Sequence, residues 1–193
     1  VLMKIVFDIE ANGLTPDKVW CIVAHIVGTE EFFEFHGFSL FDFNEWLLGF
    51  DNCEVIGHNI IDYDIPVLER LLGTDFSKCK ITDTLVLSRL ANPSRDGGHS
   101  LENWGETLNQ PKGDYSDWDN FSTDMVEYCV QDVRVNTLVY NRLLQELRDF
   151  GAESIDLEHQ VQAIVSEQIK TGWLLDQEKC FLLLAELKEK KYD

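Results

Sequence analysis

The chain carries two hydrophobic periods, and the change from one to the other organises it. Residues 4–10, Lys-Ile-Val-Phe-Asp-Ile-Glu, predict a strand that ends in two carboxylates. Residues 19–27 are apolar and rich in β-branched side chains, and 31–35 are Glu-Phe-Phe-Glu-Phe, so two more strands are expected. Asn12-Gly13 and Gly28-Thr29 supply turn chemistry between them, which favours an antiparallel meander. Beyond residue 40 the period lengthens. Helices are expected over 41–50, over 64–72 through Ile65, Leu68, Leu71 and Leu72, and over 82–90, stopped by Asn92-Pro93. Pro66 is tolerated because it falls in a first turn. A short apolar strand, 53–57, interrupts this helical part. Residues 95–98 read as a loop, 100–108 as a helix, and 109–120 as a polar stretch holding Pro111 and Gly113. A long helix follows over 123–150, capped by Ser122 or Thr123 with Asp124 in its first turn. Strands followed by helices with one inserted strand predict an α/β sheet covered by helices.

The pattern changes again after Gly151. Residues 155–169 and 176–191 read as two amphipathic helices joined by Thr171-Gly172-Trp173. They need a partner surface, so a boundary is expected near 151–154. Residues 1–151 then form one domain, and 152–193 the helical start of another.

Composition narrows the class. Hydrophobic residues make up 45% of the 193 positions and charged residues 26%, which suits an ordered globular chain. No apolar run reaches the ~18–20 residues of a membrane helix, and the N-terminus leads straight into a strand pattern. No membrane partner or signal peptide is expected, and the location expected is cytoplasmic. Five scattered cysteines without a CxxC pair suggest neither zinc nor a disulfide framework, but buried free thiols. The net charge of −19 argues against a protein that grips phosphate with Lys and Arg. A site holding divalent cations escapes this objection locally, because the ions reverse the field where phosphate binds. The grip of this piece alone would still be weak, and a basic partner domain would have to hold a duplex.

Three acidic positions carry candidate chemistry. Asp8 and Glu10 lie two apart on a strand, so their carboxylates leave the same face. Asp64 stands where the strand ending near Gly57-His58 passes into a helix. Asp132 follows Tyr128 by four residues, which stacks phenol and carboxylate on one side of the long helix. Singly, each has a plain structural reading: two solvated acids, a helix cap, a core tyrosine beside an exposed acid. Together, four carboxylates at a sheet edge would repel one another unless hard cations such as Mg²⁺ or Mn²⁺ relieved them. Two such ions roughly 3.5–4 Å apart suit an in-line phosphoryl displacement.

The segments Phe7-Asp8-Ile9-Glu10, His58-Asn59-Ile60-Ile61-Asp62-Tyr63-Asp64 and Tyr128-Cys129-Val130-Gln131-Asp132 resemble the three exonuclease motifs of the DEDD superfamily, tyrosine subclass. The resemblance is closest to exonuclease domains of phage-type family A DNA polymerases. It extends through Asp83-Thr84-Leu85-Val86-Leu87-Ser88-Arg89-Leu90, His99-Ser100-Leu101-Glu102-Asn103-Trp104-Gly105 and Lys112-Gly113-Asp114-Tyr115. The tail, with Leu157-Glu158-His159 and Gly172-Trp173-Leu174-Leu175-Asp176, is similar to the start of the polymerase portion. This likeness implies an RNase H-like mixed sheet with antiparallel N-terminal strands, covered by helices, plus a C-terminal helical extension. It implies 3′–5′ proofreading hydrolysis of single-stranded or frayed DNA 3′ ends, two Mg²⁺ or Mn²⁺ ions, a covalently linked polymerase domain and, for a phage protein, the host cytoplasm.

The same likeness implies roles. Asp8 bridges both ions, Glu10 ligates one and orients the water, Asp64 supports the looser ion and Asp132 the tighter. Tyr128 positions the attacking water, since a phenol of ordinary pKa ~10 is a poor base at neutral pH. Asn59 contacts the terminal nucleotide. Four residues separate it from Asp64 where many members have three; the phage-type branch shares the longer form, which selects Asp64 over its rival Asp62. Leu14 matches a side chain wedged between the last two bases, with a core leucine as the plain alternative. His58 and His99 are candidates to approach the substrate phosphate, with structural histidines as the alternative. Trp104, Trp118 and the Phe32, Phe33, Phe35 group read as core, and the acidic run 114–119 as a solvated loop. Two other functions compete: a free-standing exonuclease of RNase D or RNase T type, and a catalytically silent binding module. The second would need a lost carboxylate.

Overall fold

A computed structural model gives the structure of the chain and describes residues 2–111, 113 and 115–192. Lys112 and Asp114, which belong to the stretches 112–115 and 114–119 singled out above, lie outside the described residues.

Five strands form one mixed sheet. The first three are β1 (Met3–Ala11), β2 (Val19–Ile26) and β3 (Phe32–His36), and they form the expected antiparallel meander. β4 (Cys53–Gly57) pairs parallel with β1, and β5 (Cys79–Asp83) pairs parallel with β4, giving the order β3-β2-β1-β4-β5. β5 was not among the expected elements: Cys79-Lys80-Ile81-Thr82-Asp83 is too polar to stand out, and pairing with β4 makes it a strand. The helix expected over 82–90 accordingly begins later, as α3 (Thr84–Ala91).

The other helices fall close to their expected places. They are α1 (Asp42–Leu48), preceded by a 3₁₀ turn at Gly37–Phe41, α2 (Asp64–Leu72), α4 (Leu101–Thr107), α5 (Thr123–Glu146), α6 (Ala152–Thr171) and α7 (Gln177–Tyr192). Local chemistry sets several ends. Ser122 caps α5 by accepting from the Met125 amide, and Gly73 stops α2 in the left-handed conformation at φ 67°. α5 ends at Glu146, four residues before the predicted stop.

The sheet is buried on both faces because β1 alternates between two cores. Ile5, Phe7 and Ile9 point into one, with Phe35 and Phe43 and the apolar side of α2. Val6 points into the other, with Ile56, Leu87, Trp104 and the Met125, Cys129 and Val133 face of α5. Asp8 and Glu10 continue the Val6 row, so the pleat aims both acids to the α5 side. Cys21, Cys53 and Cys129 are buried as expected, but Cys79 is half-buried and Cys180 is exposed. The Cys53 and Cys79 sulfurs lie 2.7 Å apart across the β4–β5 pair, a contact only the strand register brings about. Among the described residues no helix is long and apolar enough to cross a membrane.

Candidate active site

Three parallel strands, β1, β4 and β5, deliver their C-terminal ends to the same edge of the sheet, the place where open α/β sheets bind ligands. β1 brings Asp8 and Glu10, and its register slips between Glu10 and Ala11, a bulge that turns the strand away beyond the acids. β4 runs into the 58–63 turn and then α2, whose first residue is Asp64. α5 crosses above with Tyr128 and Asp132 on successive turns.

The side chains of Asp8, Glu10, Asp64, Tyr128 and Asp132 all line one cleft of about 330 Å³, together with Leu14, His58, Asn59, Tyr63 and Trp118. Eight of the nine residues read from the sequence as candidates are therefore at this cleft. His99 is not: its Nδ1 pairs with the Ser88 hydroxyl at 2.8 Å, behind α3. The rival Asp62 faces away, both of its carboxylate oxygens accepting from Gln162 at 2.9 and 3.1 Å. A larger recess of about 590 Å³ lies on the other side of Tyr128, bounded by Glu102 and Glu106, and holds none of the four carboxylates.

The cleft is built for positive charge it does not itself provide. Glu10, Asp64 and Asp132 are buried, Asp64 to 3% exposure, and among the described residues no Lys or Arg lines the cleft. Burial pushes the Asp64 carboxyl up to about 7, with repulsion from Asp83 adding to the rise and the Asp64 and Ile9 amides opposing it. Tyr63 is likewise pushed up to about 12, by burial first and then by the charges of Asp64, Glu10 and Asp8. An all-oxygen set of crowded, partly desolvated carboxylates fits hard divalent cations.

Cys129 is a neighbour the sequence reading passed over. Its sulfur, one oxygen of Asp8 and one of Glu10 lie within 4.8 Å of one another, a spacing that by itself would suit a metal. Burial, a hydrogen bond with Cys21 and the nearby acids hold the thiol well above its usual range. Its sulfur lies within donor reach of the Asp8 backbone oxygen (3.5 Å) and carboxylate (3.8 Å), a weak contact beside that side chain.

Local chemistry also shapes the rim. The Asn12 side chain accepts from the Asp17 and Lys18 amides, both at 3.1 Å, and closes the 12–18 loop. Tyr63 donates to the Gly13 carbonyl at 2.6 Å and Arg70 to the Pro16 carbonyl at 2.6 Å, tying that loop to α2. Leu14 is thereby held out at the cleft with 94% exposure, which rules out the core alternative. Trp118 packs against the α5-side core as expected and also lines the cleft. Its carbonyl accepts from the Trp20 indole at 3.0 Å, and its ring packs edge-on to Tyr115 and Tyr128, which leaves it half-buried at the cleft wall. Trp104 is core, at 1% exposure.

The floor of the turn is tight. A Cβ at Gly57 would overlap Ile60 Cγ2 and come within 3.1 Å of the Phe7 carbonyl oxygen, so only glycine lets β4 leave the sheet beside β1. Asn59 takes a left-handed conformation at φ 66°. The Asp83 carboxylate, at the end of β5, accepts from the Asn59 (2.9 Å), Ile61 (3.2 Å) and Leu85 (2.9 Å) amides, so one side chain caps α3 and holds the turn. His58 Nδ1 pairs with Thr84 Oγ1 at 2.9 Å, and Thr84 donates to Asn136 on α5 at 2.7 Å.

Comparison with solved structures defines the class. Brucella melitensis NrnC, both with bound Mg²⁺ and bound to pGG, superposes with a TM-score of 0.67 over 89% of this chain and 87% of that chain, at 22% identity. The fold is that of the RNase H-like exonucleases. Residues 2–148 match the 3′–5′ exonuclease family model, and the chain belongs to that family. It is also 27% identical to the DNA-directed DNA polymerase of Enterobacteria phage T3 and 28% identical to that of Escherichia phage T7, in each case over 95% of this chain. The chain spans about a third (35%) of the length of these polymerases.

Proposed function

We propose that this 3′–5′ exonuclease edits DNA as one part of a phage-type DNA polymerase, releasing nucleoside monophosphates from single-stranded or frayed 3′ ends. The observation that supports the reading most directly is the meeting of four carboxylates and Tyr128 at one cleft, beneath an exposed leucine. Asp8, Glu10, Asp64 and Asp132 would hold two divalent cations, Mg²⁺ or Mn²⁺. When bound, such ions supply an activated water and neutralise charge on the departing 3′ oxygen.

The chain's own residues do the rest. The pleat of β1, with Cys129 beside it, presents Asp8 to the cleft it shares with Asp64 and Asp132. Tyr128 offers a hydroxyl to orient the water, and its ring is held by Tyr115 and Trp118. Leu14 enters between the last two bases, Asn59 and His58 face the terminal nucleotide, and Trp118 closes the apolar side shared with Tyr63. A paired terminus must first lose stacking and pairing to reach this cleft, so a mismatched end, which frays more, is removed faster.

The test is release of labelled mononucleotide from 3′-labelled single-stranded DNA and RNA, with and without Mg²⁺ or Mn²⁺. Metal-dependent release from DNA that Asp8→Ala and Asp132→Ala both abolish is the expected result. Equal release by these variants refutes the ligand assignment. Preferred attack on RNA transfers the chain to the RNase D-like reading, and inactivity with either ion makes it a binding module.

A further inference from the structure

The turn at 58–63 brings His58, Asn59 and Tyr63 to the cleft and leads into Asp64, yet it is held from behind by a helix outside the sheet and its covering layers. Gln162 on α6 donates to both oxygens of Asp62, at 2.9 and 3.1 Å. One turn earlier, His159 Nε2 accepts from the Asp83 amide at 2.9 Å. The ring is set for that role, because Nδ1 donates to the Ile155 carbonyl at 2.8 Å and so carries the proton. Asp83 in turn holds the Asn59 and Ile61 amides through its carboxylate.

We propose that His159 and Gln162 are positioning residues for the exonuclease, and that α6 is a strap locking the 58–63 turn from behind and setting the grip on the 3′ end. The inference rests on the function proposed above. Three features make the turn depend on an outside hold. It leaves the sheet through a glycine, it contains a left-handed asparagine whose conformation costs energy, and its amides hang from Asp83 at the end of β5, which among the described residues pairs with no strand beyond β4. α6 supplies one contact there, His159 at the Asp83 amide that ends β5. Its two polar contacts reach the two ends of the same short network, Asp62 on the turn and Asp83 beneath it. Neither side chain lines the cleft, so both act through the 58–63 turn and its Asn59, which faces the cleft.

Gln162→Glu tests this, since it removes the donor and sets a second carboxylate against Asp62. KM for a single-stranded oligonucleotide should rise about tenfold with kcat within about twofold, because ground-state grip is lost and the chemistry is not. Hydrogen exchange at the Asn59 and Ile61 amides should quicken about tenfold while β1 and α5 exchange as in the wild type. Adding Asp62→Asn to the same chain exchanges donor and acceptor and should restore both readings. His159→Leu should reproduce the KM rise, and His159→Gln, which keeps an acceptor, should give most of it back. Unchanged KM overturns the proposal, as does a KM rise accompanied by faster exchange throughout the chain. Should the wild type release no nucleotide with either ion, the function proposed above fails, and the exchange at 59 and 61 still decides whether α6 holds the turn.

Discussion

Residues 2–150 and the α6–α7 extension solve the burial problem in opposite ways. In the first region every helix and every strand but the edge strand β5 contributes buried apolar side chains, and β1 is covered on both sides. In the second, Ser166 is the one buried residue of α6, and the apolar side chains described in α7, Phe181, Leu182, Leu183, Leu184 and Leu187, all stand exposed. Trp173, between the helices, is 91% exposed. Both regions have ordinary hydrophobic content; what differs is closure. The sheet brings its own lids, whereas α6 touches the first region along α3, through the half-buried Ile155 and through the polar strap to Asp62 and Asp83. Amphipathic periodicity announces that a face is to be covered and says nothing of what covers it.

Four measurements would sharpen or break this contrast. The largest effect concerns the polar centre of the closed region. Asp8→Ala or Asp132→Ala should cut nucleotide release by at least ~10³-fold, the several kcal/mol that ion ligation supplies to the transition state. Circular dichroism should show the fold intact, since a self-repelling acid has been removed. Next comes the apolar centre. Trp104→Ala should cost about 3–5 kcal/mol in urea unfolding, whereas Leu183→Ala on α7 should stay within about 0.5 kcal/mol. Similar costs at the two positions would mean that α7 is packed in solution, and the contrast would vanish.

The third measurement is the pH dependence of stability without divalent ions. The Asp64 carboxyl titrates near 7 in the folded chain against 3.8 as its ordinary value. The folded state therefore binds the proton more tightly than the unfolded state. Between about pH 4 and about pH 7 Asp64 makes stability fall as pH rises. Asp64→Asn should flatten that part of the profile in thermal melts, and an unaltered slope would refute the assignment. The smallest effect is at the rim. Leu14→Ala should leave unfolding unchanged and slow release from single-stranded DNA about tenfold, or ~1.4 kcal/mol, the scale of one buried leucine side chain against bases.

How far the sequence foretold the structure depended on how local the cause was. α2 fell where its pattern placed it because its start and stop are local: Asp64 and Pro66 open it, and Gly73 closes it. The acids were legible for the same reason, through a spacing of two on a strand and of four on a helix. β5 was not, since its polar sequence becomes a strand only beside β4. Asp83, expected inside a helix over 82–90, instead caps α3 and also holds a turn some 24 residues earlier. Cys129 meets Asp8 across 121 positions, and Trp118 is drawn to the cleft by an indole 98 residues away. His99 shows the converse: a motif-borne histidine whose ring serves Ser88 and the helix behind it.

Gly57 leaves the molecule open to loss by the smallest of changes. No polar group, charge or ion ligand need be touched: one methyl at this position would push Ile60 aside and carry Asn59 and Asp64 with it. In a mutating lineage, the chemistry could thus disappear through an alteration that looks innocuous in the code.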